Sequence, residues 1–345
     1  MWLGFMSNSA MSKTTGWDIG GAHLKVVLLE DGKVKHALQM PCELWRGLDR
    51  LEAALNKALG NFAVKGAQHA VTMTGELVDL FANRREGVIE IAKLVTDLLG
   101  QQTKFYAADI DFVGIESVSA HAGAIASANW HVSASLLAKH LKNALFVDIG
   151  STTTDIIPIV DGNVKVEAYS DAQRMQNDTL VYTGVVRTPV MVLAQKLFFE
   201  GAETNVAAEY FATMADVYRL TGDLQPEMDM AETADGKGKT ALESARRLAR
   251  MVGHDVENRE LATWKSLALS CKKIQIMQIK TAILKKLKAG VPIIGAGSGV
   301  FLVEQIANEL KHEYRTISQA LSIELDENLA LCFPAYAVAR LLEKC

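Results

Sequence analysis

Two short segments of the chain contain Asp-Ile-Gly and continue with residues suited to holding an anion. The first places Asp18 before Gly20 and Gly21, and the second places Asp148 before Gly150. Glycine lets the backbone approach a phosphate closely, and the N–H groups of a tight turn can together bind an anion. The second segment adds four consecutive hydroxyl residues as uncharged donors: Ser151, Thr152, Thr153 and Thr154. Both segments therefore predict a phosphate-binding turn.

The carboxylates of Asp18 and Asp148 would repel a bare phosphate, so their place beside these turns calls for a cation. Mg²⁺ prefers oxygen ligands and is commonly held by one or two carboxylates together with phosphate oxygens. We therefore expect Asp18 and Asp148 to bind Mg²⁺, directly or through its waters. The alternative is that both segments are ordinary β-hairpins without a ligand.

Oppositely charged residues occupy matching positions, seven residues beyond each aspartate. Lys25 stands in the first segment and Asp155 in the second. Lys25 could contact a phosphate, whereas Asp155 could act as a general base or hold a water of the Mg²⁺ ion. The alternative for both residues is a salt bridge or a solvated charge at the end of a strand.

A glycine-rich segment follows the apolar strand predicted at Val291–Ile294 and precedes a predicted helix. Backbone N–H groups at a helix N-terminus can bind an anion or a nucleotide. The candidate ligand-binding residues of this segment are Gly295, Gly297, Ser298 and Gly299. A tight strand-to-helix turn without a ligand would show the same pattern, so both interpretations stay open.

Two arginines could bind an anionic group through paired hydrogen bonds. Arg187 lies in the segment TGVVRTP, just before the turn restricted by Pro189. Arg219 follows Asp216 by three residues, so the two side chains share one helix face. Arg187, Asp216 and Arg219 are therefore candidates for binding a nucleotide or a substrate. The alternative for Asp216 and Arg219 is a local ion pair.

The two Asp-Ile-Gly segments are copies of one pattern, which predicts how they are positioned. Residues 17–35 and 147–165 align without a gap, and seven positions are identical. Asp31-Gly32 and Asp161-Gly162 are dipeptides that favour type I′ hairpin turns. Each copy therefore predicts three antiparallel strands joined by tight turns, the third being Val34–Met40 in the first copy and Val164–Tyr169 in the second.

Helices and a further strand are predicted around these copies. A strand is predicted at Ala67–Thr72, and helices at Leu44–Leu59, Glu86–Leu99, Val190–Phe199, Lys239–Val252, Trp264–Leu287 and Leu302–Glu313. This alternation indicates an α/β protein with partly parallel sheets. Residues Thr221–Gly238 predict a solvated acidic loop, with a mobile lid as the alternative. Nearby arginines, Arg246, Arg247 and Arg250, are expected on a solvated helix face.

Length and composition exclude several classes of protein. The 345 residues are 49% hydrophobic and 22% charged, which suits a globular chain of two domains. The net charge of −4 and the absence of a basic face argue against a nucleic-acid partner. The four scattered cysteines favour reduced thiols in the cytoplasm. No signal peptide or membrane span is predicted. Met6 and Met11 are alternative start residues to Met1. The sequence does not determine whether the protein forms a homo-oligomer.

These motifs resemble the sugar-kinase/Hsp70/actin superfamily. Its phosphate-1, phosphate-2 and adenosine motifs look like Asp18–Gly21, Asp148–Asp155 and Gly295–Gly299. The string DIGSTTTD is similar to the signature of the hydantoinase/oxoprolinase branch. Within that branch, GWDIGGAHLK, VDIGSTTTDIIPI, TGVVRTP, TMADVYRLTG and ESARRLARMVG resemble the tetrahydromethanopterin-linked C1-transfer-pathway proteins, which are relatives of the methanofuran-biosynthesis synthase.

The resemblance implies an actin-like ATPase (ribonuclease H-like) fold of two duplicated lobes with a cleft between them. Lobe I would comprise residues 14–143, to which a C-terminal helix at 334–344 could return. Lobe II would comprise residues 144–330, with the acidic loop 221–238 and the glycine motif 295–299.

The resemblance also implies an ether-forming condensation in methanofuran-type cofactor biosynthesis. A furan-methyl diphosphate would lose pyrophosphate to the phenol oxygen of tyramine, tyrosine or a γ-glutamyl derivative. In this hypothesis Asp18 and Asp148 hold Mg²⁺, Lys25 and the hydroxyls of 151–154 hold the diphosphate, and Asp155 is the base. ATP is allowed but not required.

Two other functions use the same residues. An ATP-dependent enzyme, either a hydantoinase/oxoprolinase-like hydrolase or a small-molecule kinase, would bind ATP and a second substrate. A nucleotide-switched actin-like scaffold would not be an enzyme. Ala22-His23 stand where kinases usually carry a hydroxyl residue, which argues against transfer of the γ-phosphoryl group.

Overall fold

The computed structural model describes residues 12–62, 64–167, 169–324 and 326–344. The alternative start sites Met6 and Met11 lie outside these residues. The chain forms two compact units. The first contains the described residues up to Leu136 together with those from 326 onward, and the second is Leu137–Glu324.

Strands and helices alternate along the chain. The strands are β1 (Lys13–Ile19), β2 (His23–Glu30), β3 (Lys33–Pro41), β4 (Gln68–Met73), β5 (Lys104–Tyr106), β6 (Phe112–Val113), β7 (Ala144–Ile149), β8 (Thr154–Val160), β9 (Asn163–Val164), β10 (Leu180–Val181), β11 (Lys196–Phe199), β12 (Ala202–Asn205), β13 (Ile293–Ala296) and β14 (Tyr314–Thr316). The helices are α1 (Leu48–Asn61), α2 (Arg84–Leu99), α3 (Ile115–Ile125), α4 (Asn129–Ala138), α5 (Asp171–Gln176), α6 (Val190–Leu193), α7 (Met214–Thr221), α8 (Ala241–Arg250), α9 (Leu261–Lys286), α10 (Val300–Glu309), α11 (Ile317–Leu321), α12 (Glu327–Leu331) and α13 (Phe333–Leu342).

The two units contain sheets of the same design. In the first unit the strand order is β3-β2-β1-β4-β5-β6, and in the second it is β10-β8-β7-β13-β14 with β9 also paired to β8. Each sheet begins with an antiparallel meander, and its first strand then pairs in parallel with a later one, β1 with β4 and β7 with β13. The predicted duplication is therefore confirmed.

The two Asp-Gly dipeptides form the hairpin turns that they predict. Asp31 and Gly32 have φ of 49° and 71°, and Asp161 and Gly162 have φ of 51° and 72°. Two successive residues with positive φ define a type I′ turn, which matches the twist of the strands that it joins. The Asp-Gly dipeptides tolerate this conformation best, so they fix the register of each meander.

Each sheet packs its apolar residues into a separate core. In the first unit Trp17 and Ile19 of β1 pack with residues of α1, α2 and α3, and in the second Val147 and Ile149 of β7 pack with residues of α7, α8 and α9. The C-terminal helix α13 packs on β1, β2 and β4. These contacts fix the ends of β1 and β7, where the two Asp-Ile-Gly segments lie.

Two predicted elements differ from the structure. The helix predicted at Val190–Phe199 is wrong, because α6 ends at Leu193 and the remaining residues form β11. Strand pairing of β11 with β12 overrides the helical pattern, and it buries Leu197 and Phe199 on one face. The third strand of the second copy is also shorter than predicted, since β9 ends at Val164.

Candidate functional site

The second Asp-Ile-Gly segment forms a closed turn between β7 and β8. Asp148 lies near the end of β7, and Gly150 N–H donates to the Thr153 carbonyl at 2.8 Å. The hydroxyl of Ser151 is buried and has no hydrogen-bond partner among the described residues. Thr152 and Thr153 are half-buried, whereas Thr154 is fully buried and donates to the Thr183 carbonyl at 2.7 Å. Ser151 thus offers the turn an unused donor, while Thr154 anchors it.

Residues 183–188, which we call the brace, pack against this turn. Val185 N–H donates to the Gly150 carbonyl at 3.0 Å, and Val186 and Arg187 N–H donate to the Ser151 carbonyl at 3.1 and 2.9 Å. A Cβ atom on Gly184 would lie 2.5 Å from the Thr152 nitrogen, so only glycine allows this approach. The side chain of Arg187 is exposed while its backbone is fixed on the turn. The brace therefore fixes the backbone of Arg187 beside the predicted phosphate-binding residues.

The glycine-rich segment meets the same turn from the neighbouring strand. Ala296 of β13 is the parallel partner of Asp148, and Gly299 N–H donates to the Ile149 carbonyl at 2.8 Å. Gly297 has φ of 80°, and a Cβ atom there would lie 2.2 Å from Asp148 Oδ1. Three predicted segments thus converge at the carboxyl ends of two parallel strands, where α/β sheets bind ligands.

The first Asp-Ile-Gly segment is closed in the same way. Gly20 N–H donates to the His23 carbonyl at 2.9 Å, and the Gly21 carbonyl accepts from Leu44 N–H. Asp18 Oδ2 lies 3.5 Å from Lys25 Nζ, directly across the hairpin. The other carboxylate oxygen, Oδ1, is buried without a hydrogen-bond partner among the described residues.

Burial and Lys25 act in opposite directions on the pKa of Asp18. Desolvation raises the pKa of this carboxyl above its ordinary value, and the charge and hydrogen bond of Lys25 oppose that rise. The salt bridge to Asp18 is the alternative that the sequence had left open for Lys25. A contact of Lys25 with a phosphate stays a prediction.

Two threonines of the first unit were missed by the sequence interpretation. Thr72 of β4 is the parallel partner of Asp18, and its buried hydroxyl likewise has no partner among the described residues. Thr74 N–H donates to the Ile19 carbonyl at 2.9 Å, as Gly299 N–H does to Ile149 in the second unit. The sequence signal was available, because Thr74-Gly75 follow a predicted strand as the glycine motif does.

Asp155 faces an arginine that sequence analysis did not identify. Asp155 Oδ1 accepts a hydrogen bond of 2.6 Å from Nη2 of Arg174, which is 1% exposed and also donates to the Thr179 carbonyl. Desolvation raises the pKa of the Asp155 carboxyl, Arg174 opposes the rise, and nearby Asp171 adds to it. The role of Asp155 as a base stays a prediction.

Asp216 and Arg219 belong to a buried cluster of charges. Arg219 Nη1 lies 2.7 Å from Asp216 Oδ1, and its Nε and Nη2 donate to both oxygens of Asp229. Arg247 Nε and Nη1 donate to Asp216 and Asp235, each at 2.9 Å. The predicted local ion pair is therefore present, and a ligand contact of either residue stays a prediction.

Two parts of the chain that were predicted to be solvated belong to this cluster instead. Arg247 is 0% exposed, so the expectation that it lies on a solvated helix face is wrong. The acidic loop is not simply solvated either, because Asp229 and Asp235 are bound by the two arginines. Three carboxylates gathered around two guanidinium groups offset the cost of burying the charges, which sequence proximity alone could not reveal.

A model of the hydantoinase/oxoprolinase family matches residues 68–344. The chain belongs to this family. The prediction made from the string DIGSTTTD is thereby confirmed.

Two curated proteins are similar to this hydantoinase/oxoprolinase family member over long stretches. The relative from Methanocaldococcus jannaschii is 32% identical over 334 residues, covering 95% of this chain and 97% of the relative. The relative from Methanococcus vannielii is 34% identical over 207 residues, covering 59% of this chain and 91% of the relative. Both are named (4-{4-[2-(gamma-L-glutamylamino)ethyl]phenoxymethyl}furan-2-yl)methanamine synthase. The predicted resemblance to the methanofuran-biosynthesis synthase, and with it the prediction of an enzyme, is confirmed.

One solved structure shares the fold of this family member, and another is similar to it at a lower score. The nucleotide-free structure of an ATP-dependent acetone carboxylase is 10% identical, covers 95% of this chain and 70% of its own, and has a TM-score of 0.55. MreB 5 of Spiroplasma citri bound to AMPPNP is also 10% identical, with 96% and 97% coverage and a TM-score of 0.46. The chain has the actin-like ATPase fold, as predicted from the sequence.

The described part of the chain contains no group of three or more His, Cys, Asp or Glu side chains that could hold a metal ion. It also contains no helix that is long and apolar enough to cross a membrane.

Proposed function

We propose that this family member joins a furan-methyl diphosphate to the phenol oxygen of a γ-glutamyltyramine-type acceptor. The products are a phenoxymethyl-furan ether and pyrophosphate. The observation that carries the proposal is similarity along 95% of the chain to a synthase whose name describes this ether. The phosphate-binding chemistry of the turns supports it, because a diphosphate leaving group needs the same donors as a nucleotide.

The reaction exchanges one carbon–oxygen bond for another. The bond between the furan CH₂ carbon and the diphosphate oxygen breaks, and its electron pair leaves with pyrophosphate. The phenol oxygen forms the new bond to this carbon and gives its proton to a base, for which Asp155 is our candidate. Because the furan ring stabilises positive charge on the CH₂ carbon, the enzyme has mainly to stabilise charge on the leaving group.

Each unit carries its own candidate groups for binding a diphosphate. In the second unit these are the turn that follows Gly150, the exposed side chain of Arg187 and the hydroxyl of Ser151, which has no partner among the described residues. In the first unit they are the turn at Gly20 and the ammonium group of Lys25. A fold that serves nucleotides in other proteins would thus be used on a diphosphate substrate.

The residues present fit a Mg²⁺ ion. Each unit offers one carboxylate at the corresponding strand end. In the first unit Asp18 Oδ1 is a buried oxygen without a partner among the described residues. In the second unit the carboxylate is that of Asp148. Mg²⁺ usually keeps several waters and binds through one or two carboxylates plus substrate phosphates, so it needs no cluster of three side chains. When bound, the ion would neutralise part of the charge on the diphosphate.

Removing the Thr72 hydroxyl tests whether the end of β4 beside Asp18 binds a ligand. We expect Thr72→Val to weaken binding of Mn²⁺ with pyrophosphate by about tenfold, which corresponds to ~1.4 kcal/mol. Stability should not fall, because the change removes a buried hydroxyl that lacks a partner among the described residues. Isothermal titration calorimetry and thermal melting measure the two effects.

Thr96→Val is the matched control for this prediction. The Thr96 hydroxyl is also buried without a partner in the described part of the chain, but it lies on α2. Thr96→Val should leave the binding of Mn²⁺ and pyrophosphate unchanged. Equal affinity in the wild type and both variants would show that Thr72 takes no part in ligand binding.

A turnover assay tests the proposed function itself. Purified protein with Mg²⁺ is given an aminomethyl-furan-methyl diphosphate and γ-glutamyltyramine, without ATP, and products are followed by mass spectrometry. We expect a phenoxymethyl-furan product and one pyrophosphate for each ether formed. Absence of product, with nucleotide hydrolysis once ATP is added, would instead favour the ATP-dependent hydrolase or kinase. Nucleotide-dependent filaments without any turnover would favour the scaffold.

A further inference from the structure

A glutamine of the second unit is fully buried, and both polar atoms of its side chain form hydrogen bonds. Gln275 of α9 is 0% exposed. Its Nε2 atom donates to Thr183 Oγ1 at 2.8 Å and to the Gly184 carbonyl at 2.9 Å. Its Oε1 atom accepts a short hydrogen bond from the Tyr218 hydroxyl of α7. Since a buried amide is costly unless it is hydrogen-bonded, these partners fix the position and orientation of the amide.

The two groups held by Gln275 are the first two residues of the brace. The Thr183 carbonyl accepts the Thr154 hydroxyl at 2.7 Å, and Gly184 packs against the Ser151–Thr152 peptide. Backbone bonds from the next three residues of the brace then hold the Gly150 and Ser151 carbonyls. Gln275 is therefore connected to both sides of the turn through one intervening segment.

Tyr218 adds a second anchor to this connection. Burial raises the pKa of its phenol far above the ordinary value, so the hydroxyl stays protonated and donates to Gln275. With its oxygen held in this way, the Gln275 amide turns both of its N–H groups towards the brace. The Gln275 amide thus holds the first two residues of the brace, which pack against the turn.

We propose that Gln275 is a positioning residue for the diphosphate-binding turn, acting through the brace and oriented by Tyr218. Gln275 itself contacts no ligand in this mechanism. The inference rests on the proposed function, because it takes the turn at Gly150 to bind the diphosphate of the substrate. A misplaced turn would weaken the binding of the diphosphate but not that of the phenolic amine.

Gln275→Met tests the inference, since methionine keeps the length of the side chain and removes its hydrogen bonds. We expect the Kd for pyrophosphate and the KM for the diphosphate substrate each to rise about tenfold or more, which is ~1.4 kcal/mol in binding. The KM for the phenolic amine should stay within about twofold of wild type. Calorimetric titration with pyrophosphate and Mg²⁺ and steady-state kinetics measure these constants, and thermal melting reports stability separately.

Gln278→Met is the matched control on the same helix. Gln278 Nε2 donates to the Leu193 carbonyl at 2.9 Å, away from the brace, so its loss should leave pyrophosphate affinity unchanged. If Gln275→Met does not fold, Tyr218→Phe and Thr183→Val remove one hydroxyl each and are compared by the same titration. Thr183→Ser should restore affinity, because it keeps the accepting oxygen.

The outcomes separate this inference from the proposed function. If variants of Gln275 or Tyr218 lose stability but bind pyrophosphate as tightly as wild type, the residues are only structural and the inference is wrong. If the wild type binds pyrophosphate but forms no ether, the proposed function fails. The ratio of affinities between variant and wild type then still decides the role of Gln275. A wild type that does not bind pyrophosphate at all would overturn both.

Discussion

Arg247→Met is expected to lower the free energy of unfolding by about 3 kcal/mol, at the lower end of the ~3–5 kcal/mol found when one partner of a buried ion pair is removed. Arg247 is fully buried, and it holds Asp216 and Asp235 at 2.9 Å. Methionine fills a similar space but leaves these carboxylates with less positive charge. The effect falls at the lower end because Arg219 still contacts Asp216. Guanidinium chloride unfolding followed by circular dichroism measures the loss.

Arg246→Met is the matched control, because it makes the same change one residue earlier on α8. Arg246 forms its salt bridge with Glu257 at the surface, where solvent screening leaves such pairs little effect on stability. We therefore expect a small change in its unfolding free energy. If Arg247→Met were as stable as Arg246→Met, the buried charge cluster would not contribute to the stability of the second unit.

Gly297→Ala is expected to reduce kcat/KM for ether formation by about 100-fold, the loss that a displacement of ~1 Å at a catalytic site can produce. The backbone at Gly297 has φ of 80°, and an added Cβ atom would lie 2.2 Å from Asp148 Oδ1 and 2.4 Å from the Ile149 carbonyl oxygen. Either the glycine segment or the carboxylate of Asp148 has to move. Steady-state kinetics and the Kd for pyrophosphate measure the consequence.

Gly290→Ala separates the effect of this clash from that of backbone strain. Gly290 has a similar φ of 73°, but a Cβ atom added there would meet no described atom within 4 Å. The Gly290→Ala variant should lose about 1–2 kcal/mol of stability, because alanine is strained in the left-handed conformation. Its kcat/KM should equal that of the wild type. Turnover of Gly297→Ala within about threefold of Gly290→Ala would mean that the contact between Gly297 and Asp148 is unimportant for catalysis.

Local patterns made much of the fold predictable. The Asp-Gly dipeptides at 31–32 and 161–162 determine their own backbone conformation, because few residue pairs accept two positive φ values in succession. Together with the repeated Asp-Ile-Gly, they indicated the duplicated meander and hence the fold. Residues 297–299 of the glycine segment likewise lie between a strand and a helix as predicted, whereas Gly295 and Ala296 belong to β13.

Contacts between segments far apart in the chain were not predictable in this way. Residues 196–199 continue an apolar stretch that suits a helix, and only the pairing partner β12 makes them a strand. Arg247 looked like one of several surface arginines, because the carboxylates that surround it come from another helix and from the acidic loop. Burial and partner choice depend on how α7, α8 and α9 pack together.

The sequence by itself determined the two Asp-Ile-Gly turns, their aspartates and the family, since each follows from neighbouring residues. Only the tertiary structure decided which side chains near the turns form hydrogen bonds or ion pairs. It paired Lys25 with Asp18 and Arg174 with Asp155, left the Ser151 hydroxyl without a partner among the described residues, and joined Gln275 to a brace 91 residues away. The physical reason is that backbone conformation is set by local sterics, whereas hydrogen bonds and ion pairs between side chains depend on the packing of distant elements.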